Sequence, residues 1–175
     1  MDIKRHVLSV LVVNHPGLLS RVSGLFSRRG YNIDSLSVGT TEDPHFSRIT
    51  VAVFGDDMVI EQIRRQVEKL EDVVAITELF TENAVCHELV LIKVASCPAN
   101  RSEIISLTEI FKASIVDVSN TTVTIEMAAE QNKISALVEL LEAYGIKEIV
   151  RTGLTGILRG NQTAEGVIRT DIKTV

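Results

Sequence analysis

The stretch Asn14-His15-Pro16-Gly17-Leu18-Leu19 places two polar side chains, a ring that fixes the backbone and a residue without a Cβ just ahead of an apolar repeat of helical period. At a helix start the first N–H groups have no partner within the helix and the dipole favours an anion, so a carboxylate has a natural seat there. Gly17 lets a ligand approach the main chain closely; the N–H groups of Gly17 and Leu18 can donate, and Asn14 adds a donor and an acceptor. The same residues admit a plainer reading, in which Asn14 or His15 caps the helix and Gly17 is incidental. Spacing alone leaves both open.

Elsewhere, groups that could do chemistry are dispersed. His6, His15, His45 and His87 form no His-x-x-x-His pair, and Cys86 and Cys97 no Cys-x-x-Cys pair, so no metal site is expected. Cys86 and His87, adjacent on a strand, would point to opposite faces, which removes a catalytic pair. Asp56 and Asp57 read as acidic helix-capping residues. There is no Gly-x-Gly-x-x-Gly phosphate loop, and Gly153 to Gly156 follows a strand rather than joining two helices. No catalytic residue and no cofactor site are therefore expected in this chain.

A net charge of −5 opposes generic attraction to phosphate backbones, and the adjacent basic pairs Arg28–Arg29 and Arg64–Arg65 fall in helical stretches, so no nucleic-acid partner is expected. Lys4, Arg5 and His6 lead straight into a strand-like segment without a signal-peptide block. No apolar run approaches the roughly 20 residues needed to span a bilayer. Together with unpaired cysteines, this predicts a cytoplasmic protein without a membrane partner.

The elements that must position the loop follow from periodicity. Hydrophobic residues form 45% of the 175-residue chain against 23% charged, enough for a packed core, and aromatics only 4%, so that core must be aliphatic. Val7 to Val13 reads as a strand buried on both faces. Leu18, Leu19, Val22, Leu25 and Phe26 make a helical stripe that Gly30 ends, with Pro16 as a tolerated first residue and Arg28 and Arg29 at the dipole's negative end. Tyr31 to Val38 is a second strand, bulged because Ile33 falls on the opposite parity to Leu36 and Val38. Ile49, Val51 and Val53 mark a third, with one buried face. Asp56 caps a helix that turns Val59, Ile63, Val67 and Leu70 inward, and Val73 to Phe80 closes the unit.

This is the ferredoxin-like order βαββαβ, and it recurs. Leu89 to Ala95, a helix marked by Ile104, Leu107, Thr108 and Phe111, a hairpin of Ile115 to Val118 with Val123 to Met127 about Asn120, a helix carrying Ile134, Leu137, Val138 and Leu141, and Ile146 to Val150 supply the second copy. The fold class predicted is α+β, two tandem ferredoxin-like domains: 1–80, a linker 81–85, 86–159, and a polar tail 160–175.

The run from Asn14 through Gly39, NHPGLLSRVSGLFSRRGYNIDSLSVG, resembles the amino-terminal ACT domain of the acetohydroxyacid (acetolactate) synthase small subunit. SRITV from Ser47, EQIRRQVEKLEDVV from Glu61, ELVLIKV from Glu88, EIF from Glu109 and IVDVS from Ile115 resemble later landmarks of that family in the same order, up to about Gly160. The resemblance implies a non-catalytic regulatory subunit. It would activate a large catalytic subunit that carries thiamin diphosphate, Mg and FAD, and confer feedback inhibition by valine or a related branched-chain amino acid. It also implies a homodimer through ACT domains, each effector site combining Asn14, Gly17 and Leu18 of one chain with Asn32 and Ile33 of its neighbour. Two alternatives share this element order. A stand-alone ACT amino-acid sensor regulating another protein would have the same seat. An RNA-binding ferredoxin-like module would need aromatics on its central strands, which Val7 to Val13 and Arg48 to Val53 lack.

Overall fold

The computed structural model describes residues 3–28 and 30–164. The chain forms two compact units, Cys86–Gly153 and a first unit made of everything before it together with the stretch from Leu154 onward. The first unit contains β1 (Lys4–Val13), α1 (Leu18–Arg28), β2 (Ile33–Thr40), β3 (Phe46–Gly55), α2 (Asp57–Val67) and β4 (Val73–Glu78). Its strands lie in the order β2-β3-β1-β4 with antiparallel neighbours, so β1 and β2 run in the same direction with β3 between them. Both helices lie on one face. Leu8, Val10 and Val12 of β1 and Ile49, Val51 and Val53 of β3 form a single cluster with Val22 and Phe26 of α1 and Ile60 and Ile63 of α2. The opposite face of β1 is closed too, since Ser9 is fully buried and Leu11 joins Val74 and Ala75 in a smaller cluster.

Local sequence explains the element ends. Asp56 has extended backbone and its carboxylate accepts the Val59 N–H at 2.8 Å, which satisfies one of the unpaired donors at the start of α2. Gly30 has φ +72°, and the bonds Tyr31 N–H to Phe26 O and Gly30 N–H to Ser27 O close the C-terminus of α1 around that left-handed residue. The bulge expected near Ile33 is present, as the β2–β3 register shifts between Ile33 and Ser35.

Three readings of the pattern are corrected. Leu19 does not belong to the buried stripe of α1: it is 45% exposed, because the helix begins only at Leu18 and Pro16-Gly17 form a turn outside it. Ile60 rather than Val59 takes the fully inward position on α2, Val59 being partly buried. β3 is buried on both faces, with Thr50 and Ala52 as inaccessible as Ile49 and Val51. Arg29 lies outside the described residues.

The second unit repeats the order with β5 (Ala84–Ala95), α3 (Arg101–Ile110), β6 (Ser114–Val118), β7 (Thr122–Ala129), α4 (Gln131–Glu142) and β8 (Ile146–Arg151), in the strand order β6-β7-β5-β8. Val90, Ile92 and Val94 alternate along β5 and meet Val123, Ile125 and Met127 of β7, Ile104 of α3, and Ile134, Leu137 and Leu141 of α4. One face of the sheet is thus covered by two helices.

The expected domain limits also change. The segment read as a linker is shorter, because Ala84 and Val85 already extend as β5. Residues 154–159 belong to the first unit, not the second. Leu154, buried, accepts from Ser37 Oγ at 2.7 Å and donates its N–H to Ser35 Oγ at 3.3 Å, both on β2. β9 (Thr155–Leu158) follows, then Arg159 N–H donates to Asn83 O at 2.8 Å. The start of the expected polar tail is fastened as well, since Thr77 Oγ1 on β4 donates to the carbonyl of buried Ala164 at 3.2 Å. Residues 165–175 lie outside the described part.

Burial ranks the two leucines of α1. Leu25→Ala is expected to cost about 2–5 kcal/mol in urea unfolding, whereas Leu19→Ala should cost less than about 0.5 kcal/mol. Equal losses would contradict the placement of Leu19.

Candidate functional site

The β1–α1 loop leaves the sheet where β1 meets two other connections. The Val13 N–H donates to Asp72 O at 2.9 Å, and the Asn14 N–H to His45 O at 2.7 Å. The Asn14 side chain donates from Nδ2 to Pro44 O at 3.0 Å. The start of the loop is therefore tied on one side to the α2–β4 turn and on the other to the β2–β3 loop.

His15 is the second tie. Its Nε2 lies 2.7 Å from Asp72 Oδ1 and its Nδ1 2.9 Å from the Pro16 carbonyl oxygen, while Arg21 Nη1 donates to Asp72 Oδ2 at 2.8 Å. Asp72 was not singled out from the sequence. It holds β1 through its carbonyl, and the loop and α1 through its carboxylate.

These bonds bear on the capping alternative. Neither the Asn14 nor the His15 side chain accepts a helix N–H: the Asn14 side chain reaches Pro44, and the His15 ring reaches Asp72 and Pro16. Leu18 N–H makes only a long 3.5 Å contact to His15 O, and the first firm bond of the helix start is Arg21 N–H to Gly17 O at 3.1 Å. Among the described residues, the backbone N–H groups of Gly17, Leu19 and Ser20 find no acceptor. An uncapped helix start with exposed amides attracts an anion, since donors and dipole act together. Gly17, at φ +88°, holds a conformation that a side chain resists, although a Cβ there would meet nothing within 4 Å.

Of the five residues expected to form the seat, the chain brings three together. Asn14 and Gly17 are exposed at the loop, and Leu18 is buried at its base, fixing the helix start to the core. Asn32 and Ile33 are elsewhere. Val13 pairs with Phe46 and Ile33 with Val53, at opposite ends of β3. At about 3.3 Å per residue, the two groups are separated by roughly 23 Å along the sheet. Asn32 is exposed and Ile33 half-buried, at the beginning of an edge strand. Among the described residues no three His, Cys, Asp or Glu side chains are grouped to hold a metal ion. No helix among them is long and apolar enough to cross a membrane.

The His15 imidazole is held above its ordinary pKa of 6.5, chiefly by the hydrogen bond to Asp72 and next by that to the Pro16 carbonyl. The Asp72 carboxyl is held below its ordinary value, first by His15. A raised histidine contributes stability that is complete below pH 6.5 and is lost as pH rises through the folded-state value. A lowered aspartate contributes above its ordinary value and is lost as pH falls through the lowered one. The stability gap between wild type and His15→Gln, measured by urea unfolding at a series of pH values, should therefore be largest in mildly acidic buffer and shrink on the alkaline side. A gap that widens with rising pH would contradict the bridge.

Both halves of the chain are similar to known proteins. Residues 8–75 match the family model described as the AHAS small subunit-like ACT domain, and residues 87–160 that of the small subunit of acetolactate synthase. A probable acetolactate synthase small subunit of Archaeoglobus fulgidus is 49% identical, over 90% of this chain and 99% of its own. The acetolactate synthase small subunit of Bacillus subtilis is 45% identical, over 90% of this chain and 92% of its own. The crystal structure of the acetolactate synthase small subunit from Thermotoga maritima superposes with a TM-score of 0.84 at 42% identity, over 91% of this chain and 99% of that one. With family models over both halves and nearly full-length relatives, the chain belongs to the acetolactate synthase small subunit family and carries that family's ACT domain in its first unit.

Proposed function

We propose that the chain is the regulatory subunit of an acetolactate synthase. It binds the large catalytic subunit, raises its activity, and transmits feedback inhibition by valine or a related branched-chain amino acid. The chemistry of branched-chain amino acid synthesis would then reside in the large subunit with its thiamin diphosphate, Mg and FAD. This chain contributes binding energy and geometry.

The observation that carries the reading is the separation between the two parts of the seat. The open amides at Gly17 belong to one end of the sheet, and Asn32 with Ile33 to the other. One chain cannot close such a site, whereas two copies related by a two-fold axis can. β2 is an edge strand, paired among the described strands only with β3, so its outer row of N–H and C=O groups is available to a second β2. Antiparallel pairing of two such edges sets the start of one β2 at the same sheet end as the β1–α1 loop of its neighbour. The carboxylate of the effector would lie on the loop amides, and its ammonium on Asn oxygens and carbonyls. Its side chain would contact aliphatic walls such as Ile33. An apolar wall discriminates a single methylene by about 1–3 kcal/mol, so related branched amino acids should compete.

Two experiments test this. Adding the purified chain to an acetolactate synthase large subunit should raise acetolactate formation, and valine should then lower it; a large subunit indifferent to the chain would contradict the pairing. Asn14→Ala and Asn32→Ala homodimers should each lose valine binding. Mixed dimers with the two substitutions on different chains should regain one intact site of the two, read by calorimetric stoichiometry. Mixed dimers with no intact site would contradict the shared geometry.

A further inference from the structure

Both ring nitrogens of His15 face oxygen acceptors, a carboxylate at Nε2 and a peptide carbonyl at Nδ1. Neither acceptor carries a proton to give while Asp72 is ionised, so satisfying both bonds requires an N–H on each nitrogen and hence the imidazolium. The carbonyl at Nδ1 is that of Pro16, and it shares a rigid planar peptide group with the Gly17 N–H. Fixing the one fixes the direction of the other.

We infer that His15, carried as an imidazolium, is the positioning residue of the effector seat: by holding the Pro16 carbonyl it aims the Gly17 N–H outward at the effector's carboxylate. The inference rests on the effector reading proposed above. It adds a residue to that site and a dependence on pH.

The charges acting on the ring are few. Asp72 comes from the α2–β4 turn and favours the imidazolium, whereas Arg21, from α1, opposes it. On the side of the β2–β3 loop, the Asp43 and His45 side chains are bonded to each other at 2.6 Å. The trio of His15, Asp72 and Arg21 thus carries one net positive charge beside an anion seat. When the ring loses a proton to solvent, the remaining one stays on Nε2, against the stronger acceptor, and Nδ1 presents a lone pair to the Pro16 oxygen. That contact turns repulsive and the peptide group is released. The turn around it is already in a left-handed backbone conformation that only glycine adopts readily, so the clamp acts where the chain is least fixed by its own preferences.

The test uses the full chain, labelled with nitrogen-15, over about pH 5.5 to 8.5, the range in which a histidine titrates. Without effector, the Gly17 amide resonance should follow the same midpoint as the His15 ring, and in Asp72→Asn both midpoints should fall together. Calorimetric titration with valine should show affinity weakening by about tenfold across that midpoint, as expected for the loss of one charge-assisted hydrogen bond. His15→Lys, which keeps the charge but cannot reproduce the Nδ1 bond, should bind as weakly as wild type at the alkaline end. A Gly17 amide that is indifferent to the ring's titration overturns the inference, as does valine affinity that stays flat across the midpoint. A coupled amide with no valine binding at any pH leaves the clamp in place and overturns the effector reading instead.

Discussion

Because β3 lies between β1 and β2 in the first unit, those two strands run in the same direction and the end of one is remote from the start of the other. The helix that leaves β1 and the strand that follows it therefore present their polar groups at opposite ends of a single sheet. Any ligand needing both must find them on different chains. In the reading proposed above, this topological constraint gives each chain half of an effector site at either end of the sheet, and the open β2 edge is where a second copy would complete both.

The loop itself is held by two neighbouring connections and by little of its own making. Asn14 is bonded outward to the β2–β3 loop, and Val13 and His15 to Asp72 in the α2–β4 turn. Because these polar side chains are engaged sideways, they leave the helix amides uncapped. The contrast with α2 is instructive, since there Asp56 turns back and satisfies the first turn. One helix start is finished by its own side chain, the other left open to a partner of opposite charge. The segment after Gly153 belongs to the first unit as well. Leu154 is bonded there to Ser35 and Ser37 of the strand that begins with Ile33, and Ala164 to Thr77 of β4.

Most of the architecture was legible in the residues because it depends on period and parity. The double βαββαβ order, the cap at Asp56, the turn at Gly30 and the bulge after Ile33 all follow from short-range pattern. What escaped the pattern depends on distant partners. Asp72 is 57 residues from His15, and nothing in its surroundings marks it as a brace. Leu154 reads as the close of the second domain and Ala164 as part of a polar tail, yet their burial is decided by β2 and β4, over a hundred and over eighty residues earlier. Leu19 fitted the helical period but sits where the first turn has barely begun, so period alone overstated its burial. Of the candidate site, the loop of Asn, Pro and Gly before an apolar helix was legible as a place where an anion could sit or a side chain could cap, and spacing left both open, whereas Asn32 and Ile33 were singled out by family resemblance.

An effector seat shared by two chains is open to direct measurement through linkage. If valine binds only where two copies meet, it must stabilise their association. Sedimentation equilibrium of the purified chain, with and without saturating valine, should show the dimer dissociation constant falling when valine is present, and the same dilution that separates the copies should abolish valine binding. A dissociation constant unmoved by valine, with binding retained by the separated chain, would contradict the account.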